Sequence, residues 1–382
     1  MRIGEVNLGG LRIDYGRYLL RFGLAAAVAA CVYYAVDTLT LAAWNSDESS
    51  VVEIAGASAP VPLADDEESP FNSVSVAITA RFLTGPDKGK TEPLIVTQMD
   101  NGGVELHTGT RYILFSDVFE DGTAQHSISD VFRVPSVAGV VVFACACLVA
   151  FAGAAGARAL VGLGLSVLCL LWVYIPFVAA GGSPILPAFG VVAFIAAVTV
   201  FCVVRRGRAR LVAFLGATGG AAGAFLLGWA MVRLWRLSGL GGDSATLLAT
   251  TLPGADVRGI LLSSVIISAI GAVLDVGVSI TAAMSELVEH DQKIAPLDLW
   301  MSGIRVGAEV LGSMINTLIL AYIGTSMPFA VLISSAGVDL LGLMNDQYVG
   351  QEIVQSLAGT SGLLLTIPIT ATCFVALRSG RS

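Results

Sequence analysis

Eight long apolar runs constrain this chain more than any other feature of its sequence. Each reaches about 20 residues, the length that an α-helix needs to cross the hydrocarbon core of a bilayer. The runs cover residues 22–44, 136–157, 159–180, 184–204, 211–232, 259–281, 304–325 and 355–377. Only 13% of the residues are charged, whereas soluble domains carry about 25%. We therefore expect an α-helical polytopic membrane protein with about eight transmembrane helices, whose main solvent is the lipid bilayer.

Arginines near the ends of these runs predict how the chain is oriented. Residues 1–21 carry four arginines, which the positive-inside rule assigns to the cytoplasm. The run at 22–44 is longer than the 7–15 apolar residues typical of a cleaved signal peptide, so we interpret it as an uncleaved signal anchor. If each run crosses the bilayer once, the arginines at 205–210 and the tail at 379–382 lie in the cytoplasm. The sequence thus predicts a multi-pass protein of the cell (plasma) membrane with both termini cytoplasmic.

A further apolar stretch at 327–344 breaks the pattern, because Pro328, Gly337 and Asp339 interrupt it. If it crossed the bilayer, the C-terminal arginines would end outside. We therefore expect a re-entrant or interfacial segment within a transmembrane bundle that covers residues 135–378. Non-helical backbone at membrane depth needs surrounding protein or a water-filled cavity, so we expect a cavity near the outer side.

The acidic segment between the first two runs is predicted to lie outside the cytoplasm. Residues 45–69 are small, acidic and proline-bearing, which is typical of a linker. Residues 70–134 contain alternating runs at 74–80, 92–97 and 111–115, a pattern typical of β-strands. Turn-forming sequences separate the runs: Gly85-Pro86-Asp87, Asp100-Asn101-Gly102-Gly103 and Glu120-Asp121-Gly122. We expect a small all-β extracytoplasmic domain, OB-like or another barrel.

Several functional classes are disfavoured by what the sequence contains. The net charge of −8 comes without a basic patch, which argues against nucleic-acid binding. All six cysteines lie in apolar runs, and the two histidines of the predicted β domain, His107 and His126, are isolated, so we expect no metal site. Phosphate-loop, zinc-protease and serine-hydrolase motifs are absent from the sequence. We predict that the protein is not an enzyme and uses no cofactor.

Two consecutive runs carry polar residues that a bilayer disfavours. A charged side chain at the centre of a span costs about 2.5–3.5 kcal/mol on insertion scales, so each one needs a reason. Asp275 lies deep in the run at 259–281, and Ser279 follows one helical turn later on the same face. The next run carries a second polar stripe with one neighbouring threonine: Arg305, Glu309, Ser313, Asn316 and Thr317.

Two interpretations of these stripes remain open. In the first, the two helices face each other, brought close by Gly303, Gly307 and Gly312, and their carboxylates line a path for a proton or a small ion. In the second, the residues are structural. Glu309 then complements the dipole near its helix start, Arg305 is its charge partner, and Asn316 with Thr317 bonds a neighbouring helix.

Four sequence motifs resemble the YibE/F family of bacterial membrane proteins: GAVLDV at 271–276, GAEVLGSMINTLILAYIG at 307–324, FLTGPDKGK at 82–90 and SLAG at 356–359. The resemblance implies a multi-pass topology but no particular activity. Where the family usually has Gly-Arg-Asp, this chain has Gly307-Ala308-Glu309, so the acid is kept and the arginine is lost. Arg305 lies one turn away and is the available substitute.

A looser similarity links the chain to the SecD/SecF and RND transporter core. An Asp in one span followed by Asn-Thr in the next resembles the residues that relay protons in those proteins, which here are Asp275, Asn316 and Thr317. Two functional hypotheses follow. The chain is a transporter or export accessory driven by an ion or proton gradient, or it is a non-transporting scaffold whose outer domain binds an envelope protein. A homo-oligomer is compatible with either hypothesis.

Overall fold

The computed structural model describes residues 5–8, 11–44, 49–58, 61–62, 73–99, 105–118, 124–204, 207–337 and 339–379. The chain divides into two compact units, Met1–Gly156 and Ala157–Ser382. The first unit combines two long helices with a set of strands. The second unit is a helical bundle.

The first unit begins with a short antiparallel hairpin and a long helix. Strands β1 (Glu5–Leu8) and β2 (Leu11–Asp14) precede helix α1 (Tyr15–Ala43). The remaining elements, in chain order, are β3 (Ser49–Ala57), β4 (Val61–Pro62), β5 (Ser73–Phe82), β6 (Thr91–Met99), β7 (Arg111–Val118), β8 (Ala124–Val131) and α2 (Val134–Ala152). Helices α1 and α2 pack closely at Gly139, where an added Cβ would meet the Tyr33 side chain at 3.4 Å.

Five of these strands close into a small barrel. Strand β3 pairs with both β7 and β5, β7 pairs with β8, β8 with β6, and β6 with β5, which completes the circle. Only the β6–β8 pair is parallel among the described pairings. Alternate residues point inward, as the two-residue period requires, and form the core: Val52, Ile54, Val76, Ile78, Val96, Tyr112 and Leu114. The prediction of a small β-barrel is confirmed.

The boundaries of this domain differ from the prediction in one respect. Residues 45–69 were expected to form a linker, but β3 (Ser49–Ala57) is a central barrel strand whose Val51, Val52 and Ile54 are fully buried. The linker prediction is wrong there because the acidic flanks dominate the composition and conceal a short apolar core. The turn at Gly85-Pro86-Asp87 is confirmed, with Gly85 at φ 84°. The turns predicted at 100–103 and 120–122 lie outside the described residues.

The second unit is helical throughout its described residues. Its elements are α3 (Ala154–Cys169), a π-helical segment (Leu170–Tyr174), α4 (Ile175–Ala179), α5 (Ile185–Val203), α6 (Gly207–Leu234), α7 (Asp243–Thr251), α8 (Val257–His290), α9 (Pro296–Thr325), α10 (Met327–Ser335), α11 (Leu340–Asn345) and α12 (Gln347–Ser379). Across both units, the described residues contain eight helical stretches that are long and apolar enough to cross a membrane, in the eight predicted places.

Small residues bring the central helices of the bundle into close contact. An added Cβ on Gly220 of α6 would lie 1.8 Å from the Thr366 hydroxyl of α12 and 2.8 Å from Val273 of α8. Gly216 meets Thr370 in the same way, one turn earlier along α6. Since lipid tails are as apolar as leucine, helices in a bilayer associate through such close packing rather than through the hydrophobic effect. Helices α6, α8 and α12 therefore form the core of the unit.

The stretch at 327–344 forms no helix long enough to span a membrane. It is divided into α10 and α11, which have nine and six residues. Pro328 lies in the first turn of α10, Gly337 after that helix has φ 67°, and the Asp339 side chain accepts a hydrogen bond from the Gly342 N–H at the start of α11. These three residues break the helix as their chemistry predicts.

Candidate functional site

Helix α8 has one packed face and one open face. It begins at Asp256, whose side chain accepts a hydrogen bond from the Gly259 N–H at 2.9 Å, and continues for 34 residues. The packed face is apolar. The open face carries exposed polar and small residues at helical spacing, which we call the α8 stripe: Ser268, Gly271, Asp275, Ser279 and Ala282. A Cβ added to Gly271 would meet nothing within 4 Å.

Helix α9 has the same two-sided character. Pro296 lies in its first turn, where a proline is well tolerated. Its buried residues Leu299, Gly303 and Gly307 lie on one side. The five polar residues predicted from the sequence are all exposed, and we call them the α9 stripe: Arg305, Glu309, Ser313, Asn316 and Thr317. The first four share the side away from Gly303 and Gly307, and Thr317 lies beside them; their role stays a prediction.

The contact between α8 and α9 does not involve the stripes. A Cβ on Gly303 would lie 2.7 Å from the Met284 sulfur, and one on Gly307 would lie 3.0 Å from Ile280. Met284 and Ile280 belong to the packed face of α8. The expectation that the two stripes face each other is therefore wrong within one chain. Gly303 and Gly307 do bring the helices together, as predicted, but a Cβ added to Gly312 would meet nothing within 4 Å, so the prediction is wrong for that glycine. The side of α9 that carries Gly303 and Gly307 is opposite the polar side.

The charged residues of the stripes have no partner among the described residues. No hydrogen bond or ion pair there joins Asp275, Glu309 or Arg305 to another side chain, so the expected Arg305–Glu309 pair is not formed. The hydroxyls are satisfied locally: Ser313 donates to the Val310 carbonyl at 2.9 Å and Thr317 to the Ser313 carbonyl at 3.2 Å. All three charges thus lie on open helix faces, Asp275 deep in the apolar run 259–281 and Arg305 and Glu309 near the start of the run 304–325.

A family model describing YibE/F-like proteins matches residues 140–380, which is more than half of the chain. This chain belongs to the YibE/F-like family. The match includes both stripes and the whole bundle from α3 onward. It does not include the barrel, although a sequence motif at 82–90 also resembles the family. No curated protein and no solved structure matches the chain.

One acid of this YibE/F-like protein escaped the sequence analysis. Asp37 lies in the apolar part of α1, and its carboxylate forms an ion pair with Arg111 at the start of β7. Both side chains are partly buried, at 14% and 35% exposed. Nearby, Trp44 packs edge-on against Phe132 at 6.0 Å between ring centroids. The signal was present, because an acid inside an apolar run needs a partner, but the sequence does not show which of the barrel's arginines supplies it.

The described residues contain no group of three or more His, Cys, Asp or Glu side chains that is arranged to hold a metal ion. His126 makes a hydrogen bond of 2.9 Å with the Ser116 hydroxyl, and His107 lies 3.5 Å from the Glu105 carboxylate. Both contacts are within the barrel unit. The two stripes themselves offer carboxylates, a guanidinium, an amide and hydroxyls.

Proposed function

We propose that this YibE/F-like protein is a transporter or export accessory that couples to a proton or ion gradient through Asp275 and Glu309. The observation that supports the proposal is their position. Both acids lie on open, polar faces of helices that are otherwise apolar enough to span a bilayer. Facing lipid, each would cost about 2.5–3.5 kcal/mol. Water or another protein surface must therefore cover them, and a carboxylate beside water in a membrane is suited to binding and releasing a proton.

The proposal includes a second chain that covers the stripes. In the bilayer, serine, threonine, asparagine and glycine are typical of helix–helix interfaces. The stripes consist largely of these residues, and they carry both acidic and basic groups. A second copy related by a two-fold axis places Arg305 of one chain within reach of the acids of the other, which a self-complementary interface permits. The path for the ion then lies between two copies.

The side of the membrane on which the barrel lies is also part of the proposal. The arginines favour an extracytoplasmic barrel and cytoplasmic termini. Lys88→Cys, in the exposed turn between β5 and β6 of a chain whose native cysteines are replaced, is expected to react with an impermeant maleimide in intact cells. Labelling only after lysis would place the barrel in the cytoplasm and contradict both the orientation and the proposed path.

Complementation tests the carrier role. A strain that lacks its own copy of the gene is supplied with the wild-type chain, Asp275→Asn or Asp298→Asn at equal membrane levels. Asp298 is an exposed acid in the first turn of α9 and serves as the matched control. We expect Asp275→Asn to fail and Asp298→Asn to succeed. If Asp275→Asn supports growth as well as the wild type, Asp275 carries no ion.

Thiol labelling tests the aqueous path. In the chain without native cysteines, Ser279→Cys lies one turn from Asp275 on the α8 stripe. Trp172→Cys lies on an apolar face, where the native side chain is 79% exposed. A water-soluble maleimide is expected to label the first variant and leave the second, lipid-facing variant unlabelled. Equal absence of labelling at both positions would mean that no water reaches Asp275.

The barrel is the feature that supports the scaffold role as a second candidate function. It has its own hydrophobic core, and Ile95 on β6 is 68% exposed, so the barrel offers a large apolar side chain that a partner protein could contact. Under this hypothesis, an envelope protein that co-purifies with the full chain is lost in Ile95→Asp and kept in Thr91→Asp, at the start of the same strand. An unchanged set of co-purifying proteins would count against the scaffold role.

A further inference from the structure

A cavity of about 460 Å³ lies at the end of the bundle where the chain is broken into short helices. The last turns of α9, the helices α10 and α11 and the first turns of α12 surround it. Its volume is in the range of about 300–1,000 Å³ that is typical of small-molecule sites. Asp275 and Glu309 are not among its lining residues, so this cavity is separate from the stripes and any role goes beyond the proposed function.

Two residues that line this mostly apolar space each have a buried polar atom without a partner. The Glu352 carboxylate oxygen Oε2 and the Ser326 hydroxyl are buried and have no hydrogen-bond partner within the part of the chain that the structure describes. None of the described lining residues is Lys, Arg or His. A buried acceptor that lacks a donor costs about 1–3 kcal/mol, and more when it is charged. The described lining residues therefore supply no positive charge for this carboxylate.

Aromatic rings lie beside the carboxylate. Phe329 and Tyr348 both line the cavity, with ring centroids 4.4 Å apart and planes tilted by 54°. The Asp346 carboxylate accepts hydrogen bonds from the backbone N–H groups of Tyr348 and Val349 at 2.8 and 3.2 Å, which fixes the start of α12 and with it the position of Tyr348. Aromatic faces attract organic cations, and a desolvated contact of this kind contributes about 2 kcal/mol.

We propose that this cavity binds a lipophilic organic cation. The cationic centre lies against Glu352 and the Phe329–Tyr348 pair, and the hydrocarbon body packs on the aliphatic walls, which include Ile319, Ile323 and Leu343. A cation satisfies the carboxylate oxygen, whereas an acyl chain or a neutral ligand leaves it without a donor. The site therefore discriminates by charge at equal size.

Two probes of the same size and opposite charge test the proposal: tetraphenylphosphonium and tetraphenylborate. Binding of each to the purified full-length chain is measured by titration calorimetry in a non-ionic detergent. We expect saturable binding of the phosphonium at one site and none of the borate. Glu352→Gln, which keeps the shape of the side chain, is expected to weaken phosphonium binding by about tenfold or more. Asp298→Asn, at the opposite end of α9, is expected to leave it unchanged.

A second pair of variants keeps the test informative if Glu352→Gln folds poorly. Tyr348→Leu removes the aromatic face but not the charge, and it is expected to weaken phosphonium binding about three- to tenfold. Glu352→Asp keeps the charge and is expected to retain the preference for the cation. Equal binding of both probes, or an unchanged phosphonium affinity in Glu352→Gln or Tyr348→Leu, would overturn the proposal and leave the cavity as a lipid-filled groove.

Discussion

Both faces of α8 carry small residues, although the packed face consists mainly of large aliphatic ones, and the two faces differ in their surroundings. On the packed face, Gly277 lies 3.5 Å, measured from an added Cβ, from the Ala213 carbonyl of α6. On the open face, Gly271 has no neighbour within 4 Å. Small residues in a membrane helix are useful where another helix comes close. The packed face has its partner within the chain, and the open face has the composition of an interface but no partner among the described residues.

The same contrast separates two acids in spanning helices. Asp37 in α1 has Arg111 as its partner within the chain, whereas Asp275 on the α8 stripe has none among the described residues. A structural acid has its ion-pair or hydrogen-bond partner within the chain. An acid that is left open in an apolar segment calls for a second surface, for water or for both. The predictions that follow test whether the open face differs from the packed face in this way.

The largest expected effect comes from adding one methyl group to the surface of α6 that packs against α8 and one to the open face of α8. Gly220→Ala places a Cβ within 1.8 Å of the Thr366 hydroxyl and 2.8 Å of the Gly362 carbonyl, so we expect a loss of about 3 kcal/mol of stability. Gly271→Ala meets no atom and replaces a poor helix former, so we expect a gain of about 0.5–1 kcal/mol. Thermal unfolding in a detergent that keeps the chain monomeric measures both. Equal shifts in Tm would remove the distinction between the faces.

A bulkier change on the open face is expected to affect association instead of stability. Gly271→Leu obstructs the close approach of a second helix, so we expect the affinity between two chains to fall about tenfold in bilayers. Energy transfer between labelled chains in lipid vesicles measures this affinity. The matched control is Gly164→Leu, since Gly164 in α3 is likewise without neighbours within 4 Å. If both variants associate like the wild type, no second copy covers the α8 stripe.

Replacing Asp37 is expected to lower the stability of the isolated chain, whereas replacing Asp275 is not. Asp37→Asn leaves Arg111 without its partner, and we expect a loss between the roughly 1 kcal/mol of an exposed ion pair and the roughly 3 kcal/mol of a buried one. Asp275→Asn breaks no contact and is expected to leave the stability of the monomer unchanged or slightly higher. A double-mutant cycle with Arg111→Gln isolates the Asp37 coupling. A coupling near zero would make Asp37 as unsatisfied as Asp275.

The sequence predicted the parts of the fold that depend on local patterns. The eight spans follow from length and apolarity, and β5, β6 and β7 follow from strict alternation. Strand β3 was missed because its apolar core is only a few residues long and lies between acidic segments. Its burial depends on pairing with β5 and β7, which are distant in sequence.

The sequence predicted which residues belong to the candidate site but not which way the α9 stripe faces. Helical spacing correctly placed Arg305, Glu309, Ser313 and Asn316 on one side of α9. The rotation of a helix about its axis is set by its tertiary contacts, here by Gly303 against Met284 and by Gly307 against Ile280. Those contacts turn the stripe away from α8, and no local pattern contains that information. A cavity beside the segment 327–344 was expected, but its lining, including Glu352, could not be predicted, because it forms only when α9, α10, α11 and α12 meet.

The smallest expected effect is a change in how thermal unfolding depends on pH. It distinguishes titration in the barrel from titration on the open face of α8. The Asp130 carboxylate accepts hydrogen bonds from the Val131 N–H and from Arg133, both at 2.7 Å, and these hold the pKa of Asp130 below its usual value. A lowered native pKa stabilises the fold above the ordinary pKa, and this contribution is lost as the pH falls through the lowered value, below about pH 4. We therefore expect Asp130→Asn to reduce the acid sensitivity of thermal unfolding only in that range.

Any dependence of chain association or growth on pH between about 5 and 8 should be the same in Asp130→Asn as in the wild type, because it has to arise in the bundle. If Asp130→Asn altered the behaviour near neutral pH, the barrel would take part in the response and the open face would not be its only source.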